Sequence, residues 1–169
     1  LTSQKSNTPI GILAHKTRSD TLEHSEMLFM GGSYLPENGT KEGVYLKMYG
    51  RKLYQYALNH VPGAIQACLH KSGIPLSEIK KVLIHQANGK MDDAILNRLY
   101  KLEDDLSVPV DVMPMTISWL GNSSVATIPT LLDLILKNEL DGHQIKKGDK
   151  IIFASVGAGM NINAMVYQA

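Results

Sequence analysis

The segment from Ser123 to Asn138 is predicted to be a helix with almost no polar face. A helix that is apolar all round is buried on all sides. A single sheet can cover only one side of it, so another chain, or a missing half of this one, has to cover the rest. The apolar residues of this segment are Val125, Ala126, Ile128, Leu131, Leu132, Leu134, Ile135 and Leu136.

The remaining segments alternate between strand and helix patterns, which argues for an α/β fold with a layered sheet. Residues 24–43 are predicted to be a loop. A long helix over 44–69 is expected to be kinked or divided at Pro62 and to end at Gly73. The predicted strands lie at 10–19, 81–86, 149–157 and 160–168, the last two forming a hairpin, with a short helical turn at 75–79, a helix at 90–102 and an extended segment at 108–118.

The length and net charge of the chain limit its domain number and the classes of partner that it could bind. The chain has 169 residues and a formal net charge of +1, so we expect one domain over 10–169, a disordered segment or linker over 1–9, and neither nucleic-acid nor membrane binding. No apolar run reaches the ~18 residues of a membrane span. The single cysteine, Cys68, suits a reducing compartment, so we expect a cytoplasmic protein. The histidines show no metal-ligand spacing, and we predict neither metal nor cofactor.

Three predicted loops could carry chemistry. His85 follows the strand in "VLIHQANGK" (82–90), and Asn122 lies in "SWLGNSSVAT" (118–127) before the apolar helix. The third loop is "SVGAGMN" (155–161), whose small residues allow backbone N–H groups to approach a ligand. Open α/β sheets bind ligands beyond the carboxyl ends of their strands. An imidazole, a carboxamide and backbone amides are all hydrogen-bond donors, and together they could stabilise an oxyanion or enolate.

Each of these features also has a plain structural interpretation. His85 could be a capping or core-edge group, and Asn122 a turn or N-cap residue. The glycines at 157 and 159 could serve only as a hairpin turn. Cys68 lies inside a helical pattern, where an inert, half-buried thiol is expected rather than a nucleophile.

Three motifs, taken in order, carry a resemblance to a known family. They are "HQAN" at 85–88, "GNSS" at 121–124 and "GDKIIFASVGAGMN" at 148–161. Over residues from about 44 to 169 the chain resembles the C-terminal half of a β-ketoacyl-[acyl-carrier-protein] synthase III, in the thiolase superfamily. The resemblance implies a thiolase-like α/β half, a mixed sheet flanked by helices, that lacks the N-terminal half of the fold.

The resemblance also implies a reaction and its residues. The family condenses an acyl primer with a malonyl thioester carried by acyl carrier protein, in a decarboxylative Claisen condensation. His85 and Asn122 would donate hydrogen bonds to the malonyl thioester oxygen as it becomes an enolate, and the Ala158 amide would complete an oxyanion hole. Lys90 and Arg98 fall where the family presents basic residues to the carrier protein, although a solvated helix face explains them equally well.

The departures from the family are informative. The family's nucleophilic cysteine lies in the N-terminal half, far upstream of the histidine motif, and Cys68 is too close to His85 and in a different helix. We therefore expect an acyltransferase only at full length, with the N-terminal half as a partner, and no condensation by this chain alone. We expect two copies to dimerise through the helix at 123–138. "MNIN" (160–163) leaves the acyl primer and the pathway open.

A second hypothesis stays open beside the first. The chain could be a natural non-catalytic module that binds a carrier protein or completes a split enzyme in trans.

Overall fold

The computed structural model describes residues 7–35, 43–103 and 107–169. Most of the predicted linker (1–6) and part of the predicted loop (36–42) lie outside the described residues. The strands are β1 (Gly11–Ser19), β2 (Leu28–Gly31), β3 (Tyr45–Met48), β4 (Ile79–Ile84), β5 (Lys150–Gly157) and β6 (Asn161–Gln168). The helices are α1 (Thr21–His24), α2 (Gly50–Ser72), α3 (Gly89–Leu102), α4 (Ile117–Leu120) and α5 (Thr127–Leu136). Single 3-10 turns occupy Ser25–Met27, Leu76–Glu78, Ser124–Ala126 and Ala158–Met160.

The main sheet is mixed, as predicted. Its order is β1-β6-β5-β4. β6 pairs antiparallel with both β1 and β5, and β5 pairs parallel with β4. The outer side of β4 is covered by an irregular segment, since the Val82 amide donates to the Val112 carbonyl at 2.8 Å. The antiparallel pairing of β5 with β6 confirms the hairpin that was predicted for the last two strands.

Side chains of neighbouring residues in β4 enter two different cores, because strand residues alternate between faces. Val82 and Ile84 belong to a cluster with α2 and α3, whereas Leu83 lies in a second cluster with α5. In the second cluster Leu131 and Ile135 pack with Leu83 and with Ile151 of β5. Helices thus cover both faces of the sheet, which confirms the predicted layering.

Helix α2 ends where the sequence predicts, but it is not divided. Gly73 caps it at φ 68°, a left-handed conformation that glycine adopts at little cost. Pro62 lies inside one continuous helix from Gly50 to Ser72. Val61 and Ile65, on either side of the proline, are both buried in the same core, and this shared packing holds the two segments together.

Two predictions near the start of α2 are wrong. Residues 28–31, placed in a loop, form β2, and residues 45–48, placed in the helix, form β3, which pairs antiparallel with β2. The segment "YLKM" has only four residues and no clear alternation, so periodicity does not separate it from the helix that follows. Lys47 of β3 is buried, with its ammonium 3.5 Å from the ring centroid of Tyr34.

The apolar helix is shorter than predicted and is covered on one side within this chain. α5 begins at Thr127, after a 3-10 turn, and ends at Leu136. Leu131 and Ile135 are buried, whereas Val125 is 88% and Leu136 60% exposed. The sheet covers one face, as expected, and the described residues leave the opposite face in solvent. The segment 108–118, predicted to be extended, is irregular and contains the start of α4.

Candidate active site

The three predicted loops meet at one cavity. It measures about 980 Å³, and His85, Asn122 and Ala158 all line it. His85 follows β4, Asn122 follows α4, and Ala158 follows β5. The cavity is otherwise mainly apolar, with lining residues that include Phe29, Met30, Leu46, Met48, Met91 and Ile128. The three predicted residues therefore line one cavity whose other lining residues are mainly apolar.

His85 is half-buried and is fixed by backbone pairing. Its amide donates to the Ala154 carbonyl at 3.0 Å, which extends the β4–β5 pairing by one residue. Burial lowers the pKa of its imidazole, and a backbone group of Ser124 acts in the opposite direction by less. The ring is therefore neutral at pH 7, and a neutral imidazole can still donate one N–H.

Gln86 and Asn88 hold the loop that carries His85. Gln86 is fully buried; its Nε2 donates to the Pro114 carbonyl at 2.9 Å and its Oε1 accepts from the Thr116 amide at 2.9 Å. Asn88 is the N-cap of α3, and its Oδ1 accepts from the Lys90 amide at 3.1 Å. Gln86 and Asn88 are thus structural residues, whereas His85 lines the cavity. The motif alone did not reveal this difference.

Asn122 combines a turn role with an Nδ2 group that bonds to none of the residues that the structure describes. Its Oδ1 accepts from the Ser124 amide at 2.8 Å. The turn needs left-handed angles at Gly121 (φ 67°) and Ser124 (φ 53°). A carboxamide has an acceptor oxygen and two N–H donors on nitrogen. The oxygen shapes the loop, so the Nδ2 group is the part of Asn122 that can serve a ligand.

The turn after β5 carries Ala158. Gly159 adopts φ 72°, and the carbonyl of Ala158 accepts from Asn161 Nδ2 at 3.0 Å. A side chain at Gly159 would come within 3.3 Å of Thr21 Oγ1 and 2.8 Å of Asn161 Nδ2. The glycine is therefore required here by both angle and space.

The two predicted carrier-protein residues lie on α3, outside the cavity. Lys90 is exposed in the first turn of the helix. The Arg98 guanidinium donates to the Leu58 carbonyl at 3.0 Å and to Asn59 Oδ1 at 2.8 Å, which joins α3 to α2. Arg98 thus has a structural role that the sequence did not indicate, and carrier binding by either residue remains a prediction.

Cys68 lies in the core, away from the cavity. Its side chain is 1% exposed, and its thiol donates to the Ala164 carbonyl at 3.5 Å. Burial raises its pKa, so the reactive thiolate is disfavoured. These surroundings agree with the interpretation of an inert thiol.

Asp92, in the first turn of α3, is a buried acid that the sequence analysis did not single out. It is fully buried, and neither of its carboxylate oxygens has a hydrogen-bond partner among the described residues. The backbone of Ala87, in the loop that carries His85, is near enough to lower its pKa, by less than burial raises it. Burial, helped by the neighbouring Asp93, raises its pKa to about 7. The pattern of α3 could have signalled this, because Asp92 shares a face with the buried Ile95 and Leu99.

Residues 7–35, 43–103 and 107–169 contain no helix that is long and apolar enough to cross a membrane. No group of three or more His, Cys, Asp or Glu side chains is arranged to hold a metal ion in those ranges.

Comparison with known proteins places the chain in a family. The family model described as 3-oxoacyl-[acyl-carrier-protein] synthase III C terminal matches residues 69–169. A β-ketoacyl-[acyl-carrier-protein] synthase III of Microcystis aeruginosa is 30% identical over 98% of this chain and 48% of its own length. The corresponding protein of Latilactobacillus sakei is 32% identical over 75% of this chain and 36% of its own length. The chain therefore spans at most about half the length of these relatives.

A solved structure agrees with the sequence matches. The 3-oxoacyl-[acyl-carrier-protein] synthase III of Aquifex aeolicus superposes with a TM-score of 0.75 and 25% identity, over 98% of this chain and 46% of that one. The mixed sheet with helices on both faces is thus a thiolase-type half. The chain belongs to the 3-oxoacyl-[acyl-carrier-protein] synthase III family and forms the C-terminal half of its fold.

Proposed function

We propose that this chain is the C-terminal half of an acyltransferase that condenses an acyl primer with a malonyl thioester on acyl carrier protein. The observation that carries the proposal is the convergence of His85, Asn122 and the Ala158 turn on one cavity. The names of the relatives support the same substrate class, because they are β-ketoacyl-[acyl-carrier-protein] synthases.

The donors suit the electron flow of this reaction. Loss of carbon dioxide breaks a carbon–carbon bond of the malonyl group and leaves its electron pair on the thioester as an enolate. The neutral His85 N–H and Asn122 Nδ2 would donate to the enolate oxygen, where negative charge develops. The enolate carbon then attacks the acyl group held on the nucleophile, and the nucleophile's sulfur leaves. The Ala158 amide would donate to the oxyanion formed in that attack.

The nucleophile, in this proposal, comes from the N-terminal half. Cys68 is the single cysteine of the sequence and is buried in the core, with a thiol already engaged by Ala164. No acyl thioester can reach it without local unfolding. The N-terminal half would also wall the cavity and cover the exposed face of α5, including Leu136.

The test is a condensation assay on the full-length protein that contains this chain. His85→Ala and Asn122→Ala should each lower kcat by roughly 10²–10³-fold, the usual effect of removing one such donor. His143→Ala is the matched control, because His143 bonds to Lys81 in a different pocket and should leave kcat unchanged. The proposal fails if both active-site variants turn over like the wild type, or if this chain alone condenses through an acylated Cys68.

A second candidate is a natural module that binds a carrier protein or completes a split enzyme in trans. The burial of Cys68 favours it, since such a module needs no thiol of its own. The mass of the native protein isolated from its source cells distinguishes the condensing enzyme from the module. A mass near twice 18.6 kDa supports the condensing enzyme, and a mass near 18.6 kDa supports the module.

A further inference from the structure

The turn that carries Ala158 is held in an uncommon conformation. Gly159 and Met160 both have positive φ angles, of 72° and 50°. Residues with side chains rarely adopt this region, and they keep it where the surrounding structure fixes them. Met160 is fully buried, so part of that constraint is packing.

Hydrogen bonds from outside the hairpin supply the rest of the constraint. Thr21 Oγ1 donates to the Gly159 carbonyl at 2.6 Å, and the Asp20 amide donates to the Met160 carbonyl at 3.1 Å. The segment that follows β1 therefore holds two successive peptide groups of the turn. The Ala158 amide belongs to the same turn, two peptide groups before the first of these, so its position depends on how the end of the turn is held.

Tyr56 of α2 reaches the same point from the helical layer. Its Oη lies 2.7 Å from Asp20 Oδ2 and 3.1 Å from the Met160 carbonyl oxygen. A phenol has one proton, so these two acceptors share a single donor. Arg18 Nε donates to the same Asp20 oxygen at 2.7 Å and holds the carboxylate in place. Tyr56, Asp20 and Arg18 thus form one network behind the turn.

The charge states keep this network intact near neutral pH. The hydrogen bond from Tyr56, and then that from Arg18, lowers the pKa of Asp20. Burial, and then the bond to Asp20, raises the pKa of Tyr56 to about 12. The phenol therefore stays protonated and the carboxylate stays ionised over the range in which an enzyme works.

We propose that Tyr56 is a positioning residue: with Asp20 it fixes the turn at 158–160, so that the Ala158 amide is presented to the cavity. The inference rests on the proposed function, in which that amide binds the oxyanion. Tyr56 is 4% exposed and does not line the cavity, whereas Ala158 and Met160 do. Its effect on the reaction is therefore indirect, and its hydroxyl leads to the turn through Asp20 and the Met160 carbonyl.

Tyr56→Phe in the full-length protein tests the proposal. The ring packs against His24 and His60, with centroids 5.4 Å and 4.5 Å away, so phenylalanine should keep the packing and lose only the hydroxyl. We expect kcat for condensation to fall about tenfold with KM for the malonyl substrate unchanged, because a small displacement of a donor affects the transition state more than binding. Tyr100→Phe is the matched control: Tyr100 is also buried, lies in α3, and should show wild-type kcat.

A double-mutant cycle separates positioning from general stability. Asp20→Asn keeps the size of the side chain and removes its charge. If both residues act through the turn, the double variant should lose no more activity than Tyr56→Phe alone. Multiplied losses in kcat, or an unchanged kcat with only a lowered unfolding midpoint, would overturn the proposal.

Amide hydrogen exchange decides the proposal independently of the reaction. In Tyr56→Phe the amides of residues 158–161 should exchange several-fold faster, and in Tyr100→Phe at the wild-type rate. If the wild-type protein does not condense, the proposed function fails by itself, and exchange still tests the anchoring. Unchanged exchange in Tyr56→Phe would contradict it in either case.

Discussion

Gln86 donates to the carbonyl of Pro114 at 2.9 Å, and through this contact the loop of His85 is joined to the segment that leads to Asn122. Gln86 and Pro114 are 28 positions apart in the chain. The same side chain accepts from the Thr116 amide, so one buried carboxamide satisfies two backbone groups. The spacing between the two candidate catalytic residues therefore depends on a residue that does not line the cavity.

Gln86→Leu should destabilise the protein strongly. The change leaves the Pro114 carbonyl and the Thr116 amide buried without partners, and each such group costs about 1–3 kcal/mol. We expect a loss of roughly 2–4 kcal/mol in the free energy of unfolding, measured by urea denaturation. Gln144→Leu is the control, because Gln144 is exposed, and it should change the free energy of unfolding little. Equal stability of the two variants would show that the Gln86 contacts carry no weight.

Asp92 should make stability fall as pH rises from about 4 to 7. The unfolded chain ionises this acid near its ordinary pKa of 3.8, whereas the folded chain holds the proton until about 7. Over that window the unfolded state releases a proton that the folded state keeps, so the free energy of unfolding decreases, by up to roughly 4 kcal/mol for a shift of about three pKa units.

Asp92→Asn tests this by removing the titration. The difference in free energy of unfolding between variant and wild type should move in favour of the variant between pH 4 and 7 and stay constant above it, as followed by denaturation at several pH values. Asp141→Asn serves as the control, because Asp141 is an exposed acid that does not contribute to the pKa of Asp92. A pH-independent difference for Asp92→Asn would contradict the burial argument.

Leu136→Glu should weaken self-association of the isolated chain. The outer face of α5 leaves Leu136 60% exposed, and apolar surface gains roughly 25 cal/mol per Å² when it is covered. We expect the wild-type chain to form dimers at micromolar concentration in sedimentation experiments and the variant to shift toward monomer. Leu22→Glu changes a side chain that is 98% exposed on α1 and should leave the dimer intact. A monomeric wild-type chain would contradict the prediction.

Replacement of Lys90 and replacement of Arg98 should have different effects, the first on carrier-protein binding and the second on stability. Lys90→Glu places a negative charge at an exposed site and should raise KM for an acidic carrier protein several-fold with kcat unchanged. Arg98→Ala removes the bonds to Leu58 and Asn59 and should lower the free energy of unfolding by about 1–3 kcal/mol. Steady-state kinetics and denaturation of both full-length variants check this. A KM effect for Arg98→Ala without lost stability would make it a carrier contact instead.

The elements that were predicted correctly are those with local signals. Val82, Leu83 and Ile84 form an uninterrupted apolar run, which is typical of a strand covered on both faces, and Gly73 marks a helix end. The sequence predicted that His85, Asn122 and Ala158 share one site. Each lies in a loop just after a strand or helix, and the three motifs occur in the order of the family.

What was missed depends on contacts between distant residues. Strand β2 pairs with β3 across an intervening loop, which local patterns do not show. Tyr45–Met48 was included in the predicted helix for that reason. Arg98 is an ordinary exposed arginine until α2 is placed beside it. Tyr56 gave no sign of its bond to Asp20, since 36 residues separate them. Such partners are set by topology, and propensity or periodicity does not contain them.

The bond from the Val82 amide to the Val112 carbonyl has a consequence for solubility. β4 is an outer strand of the four-stranded sheet and is rich in apolar β-formers. An outer strand of that composition is a template on which a second chain can add its own strand and begin a fibre. The irregular segment around Val112 occupies that template from within the molecule. Substitutions that release this segment should therefore be recognised first by precipitation on heating, before any change at the cavity is detected.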